Sequence, residues 1–149
     1  MSTGELCSRI VVVAGRNDTA ATAADLMRRH HVGDVVVVDE TDGARRPLGI
    51  VTDRDIVVEV VATRLDAEAV FLGDIMSEDL VVARESDDAS DILESMRRQG
   101  VRRAPVVDAK GSLVGILAID DVMQFLAEQM GDLSSLIRRE QEHEARMRR

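Results

Sequence analysis

The chain lacks tryptophan and tyrosine, and its only aromatic residues are two phenylalanines. A hydrophobic core must therefore be aliphatic, and the aromatic stacking surface that single-stranded nucleic-acid binders use is excluded. Basic residues are also scarce: 19 of them face 28 acidic ones, for a net charge of −9. Because nucleic-acid binding depends on Lys and Arg at phosphates, we expect no nucleic-acid partner. An anionic ligand needs local basic groups or a helix N-terminus.

Cysteine and long apolar runs are scarce too. The single cysteine, Cys7, excludes an intrachain disulfide and predicts a reducing, cytoplasmic location. The N-terminus has no charged start followed by an apolar stretch, so we expect no signal peptide. No run reaches about 18 uninterrupted apolar residues, so we expect no membrane partner.

The chain contains one sequence unit twice. Leu6–Asp39 aligns without a gap with Ile75–Asp108, and Leu48–Ile56 aligns with Val114–Val122 after a loop that is longer in the first copy. Two copies are too few for a solenoid. A unit of about 60–70 residues buries too little surface to be stable alone, so the copies must share a core. The repeat therefore predicts a pseudo-twofold pair with two equivalent clefts.

Each copy has the pattern of strand, helix, strand, strand and helix, which predicts an α/β fold of the α+β type. Nearly unbroken apolar runs predict middle strands that are buried on both faces. Polar residues before each first helix are candidate N-caps, and Gly100, with His31 in the other copy, is the candidate helix end. The predicted middle strands are Val35–Val38 and Ala104–Val107, the first strands Val11–Val13 and Leu80–Val82, and the caps Asn17, Asp18, Ser86 and Asp87.

The last helix is predicted to continue beyond the repeat. Leu126, Met130, Leu133 and Ile137 follow a helical spacing, although Gly131 weakens the middle. From Arg138 onward the residues are almost all charged, which predicts an exposed helical tail or one that a partner subunit orders. The predicted division is 5–64 for the first motif, 65–73 for a connector, 74–128 for the second motif and 129–149 for the tail.

The most specific local motif lies at the end of the third strand of the first copy, from Gly49 to Asp55. A helix N-terminus there offers N–H groups to a phosphate, the Thr52 hydroxyl can donate to it, and Asp55 can accept from ribose hydroxyls. Arg54, between them, could add charge. A structural alternative stays open, because Thr-x-x-Asp is close to a helix capping box.

The duplicated unit resembles the tandem CBS domain, the cystathionine-β-synthase motif pair also called a Bateman module. The resemblance covers about residues 5–128. It depends on the segments Asp74–Ser77, Gly100–Asp108, Gly49–Ile56 and Gly115–Val122.

The resemblance implies an adenine-nucleotide site in the first copy. Thr52 would meet phosphate and Asp55 would meet ribose. Backbone and apolar side chains would form a slot for the purine. The residues implied for this slot are Val11, Val12, Val32, Gly33, Asp34 and Val35.

The second copy departs from this pattern. Ala118 replaces Thr52 and Asp120 replaces Arg54, whereas Asp121 keeps the ribose carboxylate. We therefore expect a weaker or nucleoside-only second site. Its expected residues are Val81, Arg102, Arg103, Ala104 and Asp121, with the two arginines compensating for the lost hydroxyl if they face the cleft.

The resemblance implies a stand-alone regulatory module rather than an enzyme. It would sense AMP, ADP, ATP, adenosine, NAD or S-adenosylmethionine and signal to an effector protein in trans, with no required cofactor. A flat homodimer is also implied, with exposed apolar helix faces and the Leu126–Ile137 stripe as its interface. The alternative is a protein-interaction or scaffold module without a ligand, which the second copy's Ala118 and Asp120 and the charged tail favour.

Other candidate residues carry weaker signals. His30 and His31 are adjacent and have no Cys or acidic partner at ligand spacing, so we expect no metal site. Nothing in the sequence near Cys7 lowers the pKa of its thiol. The pairs Arg28-Arg29 and Arg97-Arg98 suit the negative ends of helix dipoles better than a nucleic-acid surface.

Overall fold

A computed structural model describes residues 1–148, which divide into two units. The first unit, Met1–Ala118, contains both sheets, and the second, from Ile119, is helical. In chain order the first unit contains α1 (Thr3–Leu6), β1 (Val13–Gly15), α2 (Ala20–His30), β2 (Asp34–Asp39), β3 (Arg46–Thr52), α3 (Asp53–Ile56, continued by a π-helical turn at Val57–Val61), α4 (Leu72–Ile75), β4 (Ala83–Arg84), α5 (Ala89–Gln99), β5 (Arg103–Val107) and β6 (Leu113–Ala118). The second unit is α6 (Ile119–Met147).

Each copy forms a three-stranded sheet of the same design. The first strand pairs parallel to the second, and the second pairs antiparallel to the third, in the orders β1-β2-β3 and β4-β5-β6. The middle strands are buried: Val35–Val38 and Ala104–Val107 are at most 7% exposed. Both the α/β class and the buried middle strands are thereby confirmed.

Helix ends follow local chemistry, with one correction to the predicted caps. Thr19 caps α2 by accepting from Thr22 N, and Asp88 caps α5 by accepting from Ser90 N. The predicted caps Asp18 and Asp87 do not cap the helices but stabilise the loops before them. Their carboxylates accept hydrogen bonds from Gly15 N at 2.7 Å and Arg84 N at 2.8 Å.

The C-terminal ends of α2 and α5 are confirmed as predicted. His31 and Gly100 adopt the left-handed conformation after α2 and α5, with φ of 54° and 68°. This conformation stops each helix and turns the chain toward the middle strand.

The first strands begin later than predicted, and Pro105 explains the difference between the copies. β1 starts at Val13 rather than Val11. Just before it, Val36 N donates to Val12 O at 2.9 Å, which ties the start of β1 to β2. Pro105 stands at the position of Val36 in the second copy and has no N–H to donate. Accordingly, β4 retains only Ala83–Arg84 instead of the predicted Leu80–Val82.

The two copies exchange their N-terminal arms, which are the segments 1–8 and 70–77. The first arm pairs with the third strand of the second copy: Ser8 N donates to Ile116 O and receives the reciprocal bond, both at 2.9 Å. The second arm does the same with the first copy, because Ser77 N donates to Ile50 O at 2.9 Å. Equivalent positions are joined in both directions, so each arm forms a bridge to the third strand of the other copy.

The exchange requires glycine in both third strands. A Cβ on Gly115 would lie 2.6 Å from Ser8 O, and one on Gly49 would lie 2.6 Å from Met76 Sδ. The contact at Gly115 is with backbone and excludes a side chain, whereas a side chain at Gly49 would require the Met76 side chain to move. The glycine in each third strand allows the close approach of the exchanged arm.

The second unit, α6, is one continuous helix through Gly131 to Met147, so the predicted weak point does not break it. Leu126, Met130, Leu133 and Ile137 are all exposed, as an unpaired stripe requires. Within residues 1–148, no helix combines the length and apolar character needed to cross a membrane.

We predict that Gly115→Ala lowers the free energy of unfolding by about 1–3 kcal/mol, because the new methyl group meets a backbone carbonyl that cannot rotate away. Urea denaturation followed by circular dichroism measures this change. Gly131→Ala is the matched control, since nothing lies within 4 Å of its added Cβ. Equal stability of Gly115→Ala and the wild-type chain would contradict the exchanged-arm packing.

Candidate functional site

The residues with the strongest sequence signal line a cavity of about 230 Å³ in the first unit. Three segments form its wall: the junction of β3 and α3, the end of the second arm, and the entry to β5. The lining residues are Ile50, Thr52, Asp55, Ser77, Asp79, Leu80, Val101, Arg102 and Arg103.

The arm exchange explains why these segments meet. The reciprocal bonds between Ser77 and Ile50 hold the second arm against β3. The chain leaving that arm brings Asp79 and Leu80 to the cavity. Thr52 and Asp55 of the first copy thus share a cavity with residues of the second copy.

Thr52 and Asp55 form a complete capping box at the start of α3. Asp55 Oδ2 accepts from Thr52 N at 2.8 Å, and Thr52 Oγ1 accepts from Asp55 N at 3.2 Å. The structural alternative for this motif is therefore present. Both side chains can still form further hydrogen bonds. The Thr52 hydroxyl accepts one bond and can still donate one, and the Asp55 carboxylate has a second oxygen.

Two arginines give the cavity local positive charge in a chain of net charge −9. Arg102 is exposed and Arg103 is partly buried. Arg103 Nε lies 2.7 Å from Asp34 Oδ2, and both side chains are less than one-third exposed. Partial burial makes this ion pair stronger than one on an open surface. Asp34 and Arg103 occupy the same position in the two copies, so the pair lies where the two copies meet.

The predicted slot residues lie outside the wall of the Thr52 cavity. Val35 is fully buried, Val12 packs against the first sheet's core, and Val11 packs against a second apolar cluster. Val32 also packs against the first core, and Gly33 O accepts from Asp53 N at 3.0 Å. None of the six residues of the predicted slot lines the Thr52 cavity, although Asp34 is the strand partner of Thr52 in the pairing of β2 with β3 and forms the ion pair with Arg103.

The residues assigned to the second site are also redistributed. Arg102 and Arg103 line the cavity of Thr52, whereas Ala104 and Val81 are buried in the core. Asp121 lies on α6, in the second unit. Arg54 is exposed on α3 and is absent from the cavity wall, so the arginines of the second copy supply the charge expected from it.

Sequence reasoning missed five residues of the wall: Ile50, Ser77, Asp79, Leu80 and Val101. Their roles depend on which copy receives each arm, and no local pattern encodes that choice. The glycines at positions 49 and 115 were the available signal, because a glycine inside a strand marks a close backbone approach.

The remaining candidate residues are placed away from this cavity. Cys7 is buried, and burial raises the pKa of its thiol, so the thiolate that a redox sensor needs is disfavoured. Among residues 1–148, no group of three His, Cys, Asp or Glu side chains is arranged to hold a metal ion. Arg29 and Arg98 pair with Asp25 and Glu94 one turn earlier in their helices.

The CBS domain family model matches residues 4–62 and 72–128. The chain belongs to the CBS domain family and carries two copies of its motif.

Known proteins share this motif pair. An uncharacterized protein of Methanopyrus kandleri is 36% identical over 124 residues, which are 83% of this chain and 62% of that protein. Hypoxic response protein 1 of Mycobacterium tuberculosis is 30% identical over 79% of this chain and 80% of its own. A CBS domain protein of Pyrobaculum aerophilum in complex with AMP has a TM-score of 0.72 at 30% identity, covering 81% of this chain and 89% of that one.

Proposed function

We propose that this protein is a regulatory module that binds an adenine mononucleotide or nucleoside in the Thr52 cavity. Binding would be passed to an effector protein as a change of conformation or association. The observation that carries the proposal is the meeting of Thr52 and Asp55 of one copy with Arg102 and Arg103 of the other.

The phosphate would lie between Thr52 and the two arginines. Guanidinium groups form charge-assisted hydrogen bonds with phosphate oxygens, and the Thr52 hydroxyl retains a donor for the same group. A phosphate that reaches Arg103 would enter its ion pair with Asp34. The ligand would thereby act on the junction of the two copies.

The nucleoside would use the other parts of the wall. Ile50, Leu80 and Val101 provide apolar contacts for a purine, and the second oxygen of Asp55 can accept from a ribose hydroxyl. Two carboxylates, Asp55 and Asp79, balance the two arginines in the wall.

The cavity volume favours a small ligand. At about 230 Å³ the cavity is smaller than the range of about 300–1,000 Å³ that is usual for ligand pockets. We therefore favour AMP or adenosine over a dinucleotide such as NAD. The AMP complex of the relative from Pyrobaculum aerophilum supports this choice of ligand class.

The pseudo-twofold relation argues for one phosphate site per chain. The positions equivalent to Arg102, Arg103 and Thr52 are Gly33, Asp34 and Ala118. These three positions therefore provide no guanidinium and no hydroxyl, and Asp34 adds a carboxylate. We propose that only the Thr52 cavity accepts a phosphate.

We predict that AMP raises the melting temperature by several degrees. At about 100 times its dissociation constant a ligand adds about 2.7 kcal/mol of stability. Asp55→Asn should remove most of this shift, because the amide keeps an acceptor for Thr52 N but loses the charge that binds ribose. Differential scanning fluorimetry measures both shifts.

The matched control is Asp121→Asn, the same change at the equivalent position of the second copy. It should leave the shift intact. A flat response of the wild-type chain to AMP and adenosine, or equal loss in both variants, would refute the proposed site.

We predict that Arg102→Gln weakens AMP binding about tenfold or more and leaves adenosine binding nearly unchanged. The reason is that a charge-assisted bond to phosphate contributes about 1.5–3 kcal/mol, and only AMP carries the phosphate. Isothermal titration calorimetry with both ligands measures the difference. Arg97→Gln, the same substitution at the exposed end of α5, is the control. Equal losses for AMP and adenosine would show that Arg102 does not contact phosphate.

A further inference from the structure

The two exchanged arms dock through the same backbone hydrogen bonds. Each arm contacts the loop between the first strand and the long helix of the other copy, and these receiving loops are residues 16–19 and 85–88. At each loop, two amides of the arm donate to two loop carbonyls, at 2.8 and 2.9 Å. The pairs are Leu72 to Asp18 and Gly73 to Arg16 at the first loop, and Thr3 to Asp87 and Gly4 to Glu85 at the second. Because these bonds are equivalent, the backbone cannot decide which arm each copy receives.

Side-chain charge differs between the two arms. The residue that follows each arm forms an ion pair with the receiving loop of the other copy. Arg9 Nη1 lies 2.7 Å from Glu85 Oε2, and Arg16 Nη2 lies 3.8 Å from Glu78 Oε1. Arg9 and Glu78 occupy equivalent positions with opposite charge, and so do Arg16 and Glu85. An arm that docked on its own copy would place Arg9 beside Arg16, or Glu78 beside Glu85, and these like charges would repel.

Side-chain volume also differs between the two arms. Leu72 of the second arm is fully buried in the first core, which also contains Ala23 of α2. In the second copy, the fully buried Thr3 replaces Leu72, and Ile92 of α5 replaces Ala23. The first arm packs there through α1 against α5. The larger arm residue therefore accompanies the smaller helix residue, and the smaller arm residue accompanies the larger one.

Docking of each arm on its own copy would break this match of volumes. Leu72 beside Ile92 would add volume to a closed core, whereas Thr3 beside Ala23 would leave a void. Overpacking and cavities both lower stability. Volume therefore opposes the same alternative arrangement that charge opposes.

We infer that charge and volume together assign each arm to the copy that receives it. The assignment matters for the Thr52 cavity, because the second arm and the chain leaving it supply Ser77, Asp79 and Leu80 to its wall. The inference itself does not depend on a ligand, so its tests use the protein alone.

The first test reverses charges in the full chain without changing its net charge. Arg9→Glu with Glu78→Arg gives each arm the charge of the other, and Arg16→Glu with Glu85→Arg does the same for the receiving loops. Each double variant should lower the urea midpoint by about 0.5–1 M at low salt, and the chain with all four substitutions should recover most of the loss. About 1 M salt should remove these differences, because the Debye length then falls to about 3 Å.

Nuclear Overhauser contacts show where the first arm lies in these variants. The wild-type chain should show contacts between Ser8 and Ile116. In the arm-reversed chain, either these contacts remain with lower stability or Ser8 contacts Ile50 instead, and both results support assignment by charge. Wild-type stability with retained Ser8–Ile116 contacts would overturn the inference. Losses that simply add in the chain with all four substitutions would also overturn it.

The second test asks whether the effect of Thr3→Leu changes sign when Ile92 is made smaller. In the wild-type chain Thr3→Leu should lower the urea midpoint, because leucine overfills the core. In an Ile92→Ala chain it should raise the midpoint, because the two positions then match Leu72 and Ala23 of the first copy. The backbone bond from Thr3 N to Asp87 O is unaffected by the substitution. A lower midpoint in both chains would overturn the inference.

Discussion

The reciprocal pairing of each N-terminal arm with the other copy's third strand is the interaction on which the rest of the structure depends. Ser8 bridges to Ile116 in the third strand of the second copy, and Ser77 bridges to Ile50 in that of the first. The exchange makes the copies interdependent and leaves no room for a side chain at Gly115. It also carries the start of one copy to the end of the other's third strand, which is where the cavity forms.

The same geometry gives a physical reason for the copies to differ. Residues at equivalent positions near the pseudo-twofold axis meet each other, and two identical charges there would repel. Asp34 and Arg103 are equivalent, opposite in charge and 2.7 Å apart. This difference stabilises the junction and gives the guanidinium to the cavity that also contains Thr52 and Asp55. In the proposed function, the Asp34–Arg103 difference between the copies therefore also explains why only one of the two equivalent clefts binds phosphate.

Local pattern was sufficient for much of the fold. Apolar runs located β2 and β5, and Gly100 located the end of α5, because burial and left-handed backbone leave clear marks in sequence. Pattern alone missed the short β4, since the cause is a donor that Pro105 lacks in the neighbouring strand. It recognised Thr52 and Asp55 but surrounded them with residues of their own copy. The wall of the Thr52 cavity depends on pairing between segments far apart in the sequence, which local sequence periodicity does not reveal.

The central claim is that the two copies together build one phosphate-binding cavity. A crystal structure of the full chain grown with AMP tests it most directly. The account predicts one AMP per chain, with its phosphate between Thr52 and the arginines 102 and 103 and its ribose at Asp55. A phosphate bound beside Ala118, or AMP bound equally in two equivalent clefts, would contradict it.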